Sequence, residues 1–321
     1  MARPSAKPVV YAALIGNLLV AVTKAMAGMW TGSSAMLSEA IHSFVDTGNE
    51  ILLLYGMRRA VRRADPDHPL GYGRELYFWS FIVALLVFAL GAGVSIYEGT
   101  DHILQPKPIT DPVVNYVVLG LSFLFEGASW ILSLRQFTAA KGALGFYDAF
   151  RRSKDPPSFM VLFEDTAALL GITLAAAGTF AAVTFDEPVY DGVASVLIGV
   201  VLAATAVLLA RESKSLLIGE RADSALADRI LAIAAQCPGV ARANGVLTVQ
   251  LAPDQVVAAL SVDFADELRA GDIENAVIDI ERAVRAERPD VVALFVKPQT
   301  RATYESIRRR RFAAGGASDS T

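Results

Sequence analysis

Residues 189–210 read VYDGVASVLIGVVLAATAVLLA, an almost unbroken apolar run in which Asp191 is the only charged residue. An α-helix needs about 20 apolar residues to cross the hydrocarbon core of a bilayer, because each residue advances the helix by about 1.5 Å. The run is continuous rather than alternating, which favours a helix over a barrel strand, and a helix satisfies its own backbone hydrogen bonds. This stretch therefore predicts a membrane-spanning helix.

Five similar stretches precede it, and the composition of the whole chain agrees with a membrane protein. The chain is 54% hydrophobic and 19% charged, whereas soluble proteins carry roughly 25% charged residues. After about residue 210 the composition becomes that of a soluble domain. The predicted fold is an α-helical membrane protein with six transmembrane helices in residues 1–212, followed by a small α+β domain in residues 213–300. The six predicted spans are residues 9–29, 35–57, 76–98, 113–134, 160–184 and 189–210.

Basic residues fall on alternate loops, which predicts the orientation of the spans. The segments 31–34 and 185–191 carry no lysine or arginine. Short loops rich in lysine and arginine stay in the cytoplasm, so we expect both termini there, and we expect a bacterial inner (plasma) membrane. The basic loops follow spans two and four and contain Arg58, Arg59, Arg62, Arg63 and Arg74, and then Arg135, Lys141, Arg151, Arg152 and Lys154.

Charge and cysteine content give no indication of a nucleic-acid-binding protein or of a disulfide-stabilised protein. The net charge is −4, which gives no reason to expect nucleic acid as a partner. Cys237 is the one cysteine of the chain, so a disulfide framework is excluded.

Polar residues form a stripe inside span two. His42 and Asp46 are four residues apart, and Asn49 and Glu50 follow at the next helical turn. Residues at this spacing share one face of a helix. Ionisable groups inside a bilayer are rare and are usually functional. Span five carries a second acidic group, the pair Glu164 and Asp165.

These two helices predict a metal site between spans two and five. One imidazole and two or three carboxylates can provide a tetrahedral or nearly tetrahedral set of ligands. In the alternative interpretation, each polar group pairs structurally or lines an aqueous vestibule. Asn49, Glu50 and Glu126 are possible accessory polar groups of the site.

The combination of these features resembles the cation diffusion facilitator family of divalent metal transporters. The resemblance rests on six spans, the His-x-x-x-Asp of span two, the aspartate of span five and the C-terminal soluble domain. The stretches 64–75 and 212–220 resemble the branch related to the ninth human zinc transporter. The resemblance implies a homodimer that exports a divalent ion from the cytoplasm in exchange for protons. His42, Asp46 and Asp165 match the family's transport site.

The sequence departs from the family pattern at two positions. Many members have a histidine where this chain has Val161, and Glu164 is the candidate for the missing ligand. Asp65 and His68 match a second metal position in the loop after span two. Tyr72 replaces a histidine there, so that site is predicted to be weak or absent.

Residues 223–298 predict the order helix, strand, strand, helix, strand, a small ferredoxin-like domain. No histidine lies beyond His102, so we expect a cytoplasmic dimerisation module that binds little or no metal. Residues 301–321 are predicted to be a disordered basic tail that contacts anionic lipid headgroups.

The predicted function is proton-coupled export of a divalent metal ion, zinc first and manganese, iron or cobalt next. No cofactor is expected besides the transported ion. The rival classes are an intramembrane metalloenzyme, and a scaffold or receptor in which the polar stripe only joins helices. The sequence has no His-Glu-x-x-His motif, so we expect that the protein is not an enzyme.

Overall fold

A computed structural model of the chain describes residues 7–142 and 145–313, with residues 7–13, 140, 152, 158, 312 and 313 described as backbone only. Long helices make up the first two thirds of the chain. A π-helical segment, Val87–Ala92, joins the helix Glu75–Leu86 to the helix Gly93–Leu104. The helices are α1 (Lys7–Thr31), α2 (Ser34–Ala60), α3 (Glu75–Leu86), α4 (Gly93–Leu104), α5 (Pro112–Lys141), α6 (Phe146–Arg152), α7 (Pro156–Thr184) and α8 (Val189–Ile218).

Five helical segments of the described residues are long and apolar enough to cross a membrane. They correspond to α1, the continuous helix from α3 to α4, α5, α7 and α8. Helix α2 has 27 residues, which is about 40 Å and long enough to cross. It falls outside this group because it is too polar, and its polar residues are those of the predicted site. The structure therefore supports five of the six predicted spans by length and composition.

Helix α2 lies at the centre of the bundle. It packs against α1, α3, α4 and α7, and most of its polar side chains are buried, including Glu39, His42 and Asn49. These buried polar side chains face other helices rather than lipid. This packing places the polar stripe in the interior of the protein, where a transported ion can be shielded from hydrocarbon.

A buried carboxylate holds the first turn of α2. Asp191 of α8 is 0% exposed and accepts hydrogen bonds from the Ser33 hydroxyl at 2.6 Å, the backbone N–H of Ser34 at 2.6 Å and the backbone N–H of Ala35 at 3.2 Å. The first N–H groups of a helix have no partner within the helix, and a negative charge is favourable at this end. Asp191 therefore anchors the beginning of α2 to α8.

Asp191→Ala is expected to lower the free energy of unfolding by about 3 kcal/mol or more, because each hydrogen bond to a charged group contributes about 1.5–3 kcal/mol. Unfolding of the purified protein in detergent measures the effect. Asp191→Asn is the matched control and should lose less, since its amide oxygen still accepts. Equal stability of Asp191→Ala and the wild-type protein would contradict the anchoring role.

The C-terminal part of the chain is a small α/β domain. Its elements are α9 (Ser224–Ala235), β1 (Val240–Ala252), β2 (Gln255–Phe264), α10 (Ala270–Glu287) and β3 (Val291–Pro298). The strand order is β1-β2-β3, with β1 and β2 antiparallel and β2 and β3 parallel. Ile230, Leu260 and Ile280 are fully buried between helices and sheet. This order of elements is the one that the sequence predicts.

The chain divides into two compact units, and the loop after α2 belongs to the second of them. The first unit contains the helices up to Lys214. The second unit begins at Ser215, and it also includes Arg62–Arg74. Within it, Gly73 lies close to Leu251, Ala252 and Gln255 of the C-terminal domain. The loop after α2 therefore belongs structurally to the C-terminal domain.

The prediction of a disordered tail from residue 301 is wrong for residues 301–313, which form α11 (Arg301–Ala313). Arg301 and Arg309 both pair with Glu305, which offsets repulsion between the arginines. The Tyr304 hydroxyl lies over Gly245 of β1, a position where a side chain would overlap with it. Packing against the sheet thus stabilises a helix that its composition disfavours. Residues 314–321 lie outside the described residues.

Candidate metal transport site

Two contacts fix how α2 and α7 lie against each other. The side chain of Asn49 donates a hydrogen bond to Glu164 at 3.0 Å. Nearer the other end, the Glu39 carboxylate approaches Gly171 so closely that an added methyl group would overlap with it. Asp46 lies seven residues after Glu39, and Asp165 lies six residues before Gly171. The antiparallel packing therefore brings Asp46 and Asp165 to one level of the bundle.

His42 and Asp46 form the core of the site. The Nδ1 atom of His42 lies 3.4 Å from Oδ1 of Asp46, and the His42 side chain is 1% exposed. Neither ring nitrogen of His42 has a hydrogen-bond partner, and neither does Oδ1 of Asp46. Buried polar atoms in native proteins are nearly always paired, so each exception requires an explanation. Imidazole nitrogen and carboxylate oxygen are atoms that a divalent metal ion can bind.

The acidic pair of α7 turns its two carboxylates to different helices. Glu164 faces α2 and accepts from Asn49. Asp165 faces α5 and accepts from the hydroxyls of Ser129 and Ser133, both at 3.1 Å. Consecutive residues of a helix point about 100° apart, which accounts for the difference. Both carboxylates are predicted from the sequence, whereas the two serines that hold Asp165 are not.

The four predicted ligands share one polar interior. The hydrogen bond from Asn49 to Glu164 places the acidic pair of α7 beside the polar stripe of α2. The four predicted ligands do not converge within coordination distance, since no group of three or more His, Cys, Asp or Glu side chains within residues 7–142 and 145–313 is placed to hold a metal ion. The structure therefore brings His42 and Asp46 together and places the acidic pair of α7 beside them.

The predicted accessory residues have separate partners. Glu50 accepts a hydrogen bond from the side chain of Asn17 in α1 at 2.7 Å. Glu126 of α5 is partly exposed. Asn49 is the residue that joins α2 to Glu164. Glu50 and Asn49 thus link α2 to two neighbouring helices, α1 and α7.

A buried ion pair lies next to the site. Lys24 of α1 pairs with Glu39 of α2 at 3.2 Å, and both side chains are 0% exposed. Glu39 is not among the predicted site residues, although it stands three residues before His42 and therefore near the same helical face. Lys24 lies in an apolar run, and the sequence alone does not indicate which acidic residue pairs with it.

The loop residues Asp65 and His68 lie together but are already engaged. Asp65 accepts hydrogen bonds from the Tyr72 hydroxyl at 2.6 Å and the backbone N–H of His68 at 2.8 Å. These bonds, that of Tyr72 first, hold the pKa of Asp65 below its ordinary value. The rings of His68 and Tyr72 are tilted against each other, with centroids 4.3 Å apart. The tyrosine thus takes the place of a third metal ligand.

Tyr72→His is expected to create a zinc site in this loop, with Asp65 and His68 as the other protein ligands. Three protein ligands suffice to bind zinc. Equilibrium dialysis with metal analysis should show one further zinc ion per chain. The measurement uses a His42→Ala background, in which the intramembrane residues contribute little. Tyr72→Phe is the control and should bind none; an equal result for both variants would contradict the expectation.

Comparison with known proteins identifies the family. A family model described as the cation efflux transmembrane domain matches residues 10–218. The chain belongs to the cation efflux family. This is a family of cation transporters rather than enzymes, and the resemblance to the cation diffusion facilitators is confirmed.

The chain is similar to several characterised members of the family. It is 32% identical over 298 residues to the mitochondrial proton-coupled zinc antiporter SLC30A9 of Xenopus laevis, covering 90% of this chain and 53% of the relative. The human protein of that name is 34% identical over 259 residues, or 80% and 45% of the two chains. The cation-efflux pump FieF of Shewanella oneidensis is 26% identical over 230 residues, or 71% and 72%. The chain spans about half the length of its SLC30A9 relatives.

The comparisons correct the predicted location. The SLC30A9 relatives, which are 32–34% identical to this chain over the aligned residues, are named as mitochondrial proteins. The prediction of a bacterial inner membrane is therefore wrong on this finding. The apolar helices support the coarser statement that the chain is a multi-pass membrane protein.

Proposed function

We propose that this protein exchanges zinc for protons across a membrane, with His42, Asp46, Asp165 and Glu164 as the metal ligands. The observation that carries the proposal is the buried imidazole of His42, whose two nitrogens have no hydrogen-bond partner. An imidazole in this state, beside one carboxylate and near an acidic pair, suits a divalent cation. The names of the SLC30A9 relatives favour zinc, and manganese, iron and cobalt are the next candidates.

Competition for the same atoms explains how protons drive the exchange. A metal ion binds neutral imidazole and ionised carboxylates, so metal binding releases protons and protonation releases metal. His42 is the group whose ordinary pKa lies nearest to neutral pH. When the site faces the compartment of the C-terminal domain, metal displaces protons. When it faces the opposite side, protons displace metal.

The proposal includes α2 as the sixth span and two copies of the chain in the working transporter. Six spans return both ends of the helical unit to the same side of the membrane. The polarity of α2 is compatible with this role, because α1, α3, α4 and α7 cover it. The C-terminal domain is a ferredoxin-like module in this proposal and joins the two copies, as the family resemblance implies.

Metal flux into proteoliposomes tests the proposal. The purified protein is exposed to zinc, manganese, iron, cobalt and magnesium, with and without a pH gradient. We expect zinc flux that rises when protons flow in the opposite direction, and little magnesium flux. A zinc flux that is the same with and without the pH gradient would overturn proton exchange. A higher flux of another metal would overturn the choice of zinc.

A further inference from the structure

The ion pair between Lys24 and Glu39 is fully buried beside the proposed site. The Lys24 ammonium lies 3.2 Å from one oxygen of Glu39 and 2.9 Å from the hydroxyl of Ser43. Removing two charges from water is unfavourable, and a buried ion pair is often no more stable than a well-packed apolar pair. Helix packing alone therefore does not account for these residues.

One oxygen of Glu39 is unused. Oε1 is buried and has no hydrogen-bond partner, whereas Oε2 accepts from Lys24. The unused oxygen points at Gly171 of α7, where the lack of a side chain gives it room. An unpaired carboxylate oxygen in a buried position is an available metal ligand.

Glu39 lies on the far side of His42 from Asp46. On α2 the order is Glu39, His42, Asp46, with Glu39 nearest the end that Asp191 anchors. The exposed fraction of the side chain rises along this order, from 0% at Glu39 to 1% at His42 and 20% at Asp46. The Lys24–Glu39 pair therefore closes the stripe at the end opposite to the loop after α2.

We propose that Glu39 is a further metal ligand on the path by which the ion leaves His42 and Asp46, and that Lys24 occupies this carboxylate whenever the ion is elsewhere. The inference rests on the proposed function. It assigns to Lys24 the role of a tethered cation that pairs with Glu39 and keeps the path closed. When the ion reaches Glu39, the two positive charges repel, and Lys24 retains its hydrogen bond to Ser43.

The decisive variant is the double substitution Lys24→Met and Glu39→Gln. It removes both charges while keeping side chains of nearly the same size, so no buried charge is left unpaired. We expect an unchanged melting temperature in detergent and zinc affinity within about threefold of the wild-type value. We expect maximal exchange to fall at least tenfold with little change in KM. A wild-type rate would show that the pair only packs helices and would overturn the inference.

The single variant Lys24→Met gives an independent measurement. It leaves the Glu39 carboxylate free to bind, so we expect tighter zinc binding and slower release than in the wild-type protein. The absorption spectrum of bound Co2+ should change in Lys24→Met and return to the wild-type spectrum in the double variant. A spectrum that is the same in all three proteins would overturn Glu39 as a ligand.

The two proposals fail in distinguishable ways. If the wild-type protein moves no divalent metal, the proposed function fails and this inference with it. If the wild-type protein exchanges metal, and the double variant does so at the same rate, only the role of Lys24 and Glu39 is overturned.

Discussion

His42→Ala is expected to abolish exchange of metal for protons and to weaken zinc binding by more than about 100-fold. The imidazole is the only nitrogen donor among the four proposed ligands. Loss of a residue that merely orients a metal ligand already weakens binding about 10–100-fold, so loss of the ligand itself should exceed that. Calorimetric titration with zinc and flux in proteoliposomes measure the two effects.

The control for His42 is another buried histidine of the same unit. His102 of α4 is 6% exposed and stands outside the polar stripe of α2. His102→Gln should therefore keep both zinc affinity and proton coupling. If His42→Ala exchanged metal as well as His102→Gln does, His42 would not be a ligand, and its unpaired nitrogens would need another explanation.

The neighbouring carboxylates of α7 provide the second large effect. Asp165→Asn is expected to lower exchange by more than about 100-fold, as for the loss of any ligand. Glu164→Gln is expected to raise KM for metal at least tenfold. Each amide oxygen still accepts the hydrogen bonds that the carboxylate receives now, from Ser129 and Ser133 or from Asn49. The substitutions thus remove charge and leave the helix contacts in place.

This pair of variants tests whether each carboxylate of α7 is a ligand, and in particular whether Glu164 replaces the histidine that is missing at Val161. Normal KM in Glu164→Gln would remove Glu164 from the ligand set and leave Asp165 as the sole ligand from α7. Normal exchange in Asp165→Asn would do the reverse. Glu187→Gln, in the exposed turn before α8, is the control for loss of one acidic charge and should behave as the wild-type protein.

Much of the fold could be predicted because it depends on local pattern. Apolar runs located the long helices, and alternation located the strand Gln255–Phe264. Helix α11 escaped prediction because its stability depends on contacts of Tyr304 with a strand almost 60 residues earlier in the chain.

The site was predictable in composition but not in arrangement. Spacing along α2 is enough to place His42 beside Asp46. The directions of Glu164 and Asp165 depend on which helices flank α7, and a single sequence does not contain that information. The pairing of Lys24 with Glu39 depends in the same way on how α1 and α2 pack. The distribution of basic residues predicts a side of a membrane, but it does not identify the membrane.

The bond network at Asp191 restricts how α2 can move. The first turn of α2 is tied to α8, while its last turn leads into Arg62–Arg74, which is part of the C-terminal domain. A rod fixed at one end cannot slide along its axis; it can only swing or twist about the fixed end. Such a swing moves Asp46 further than Glu39, because Asp46 is more distant from the pivot.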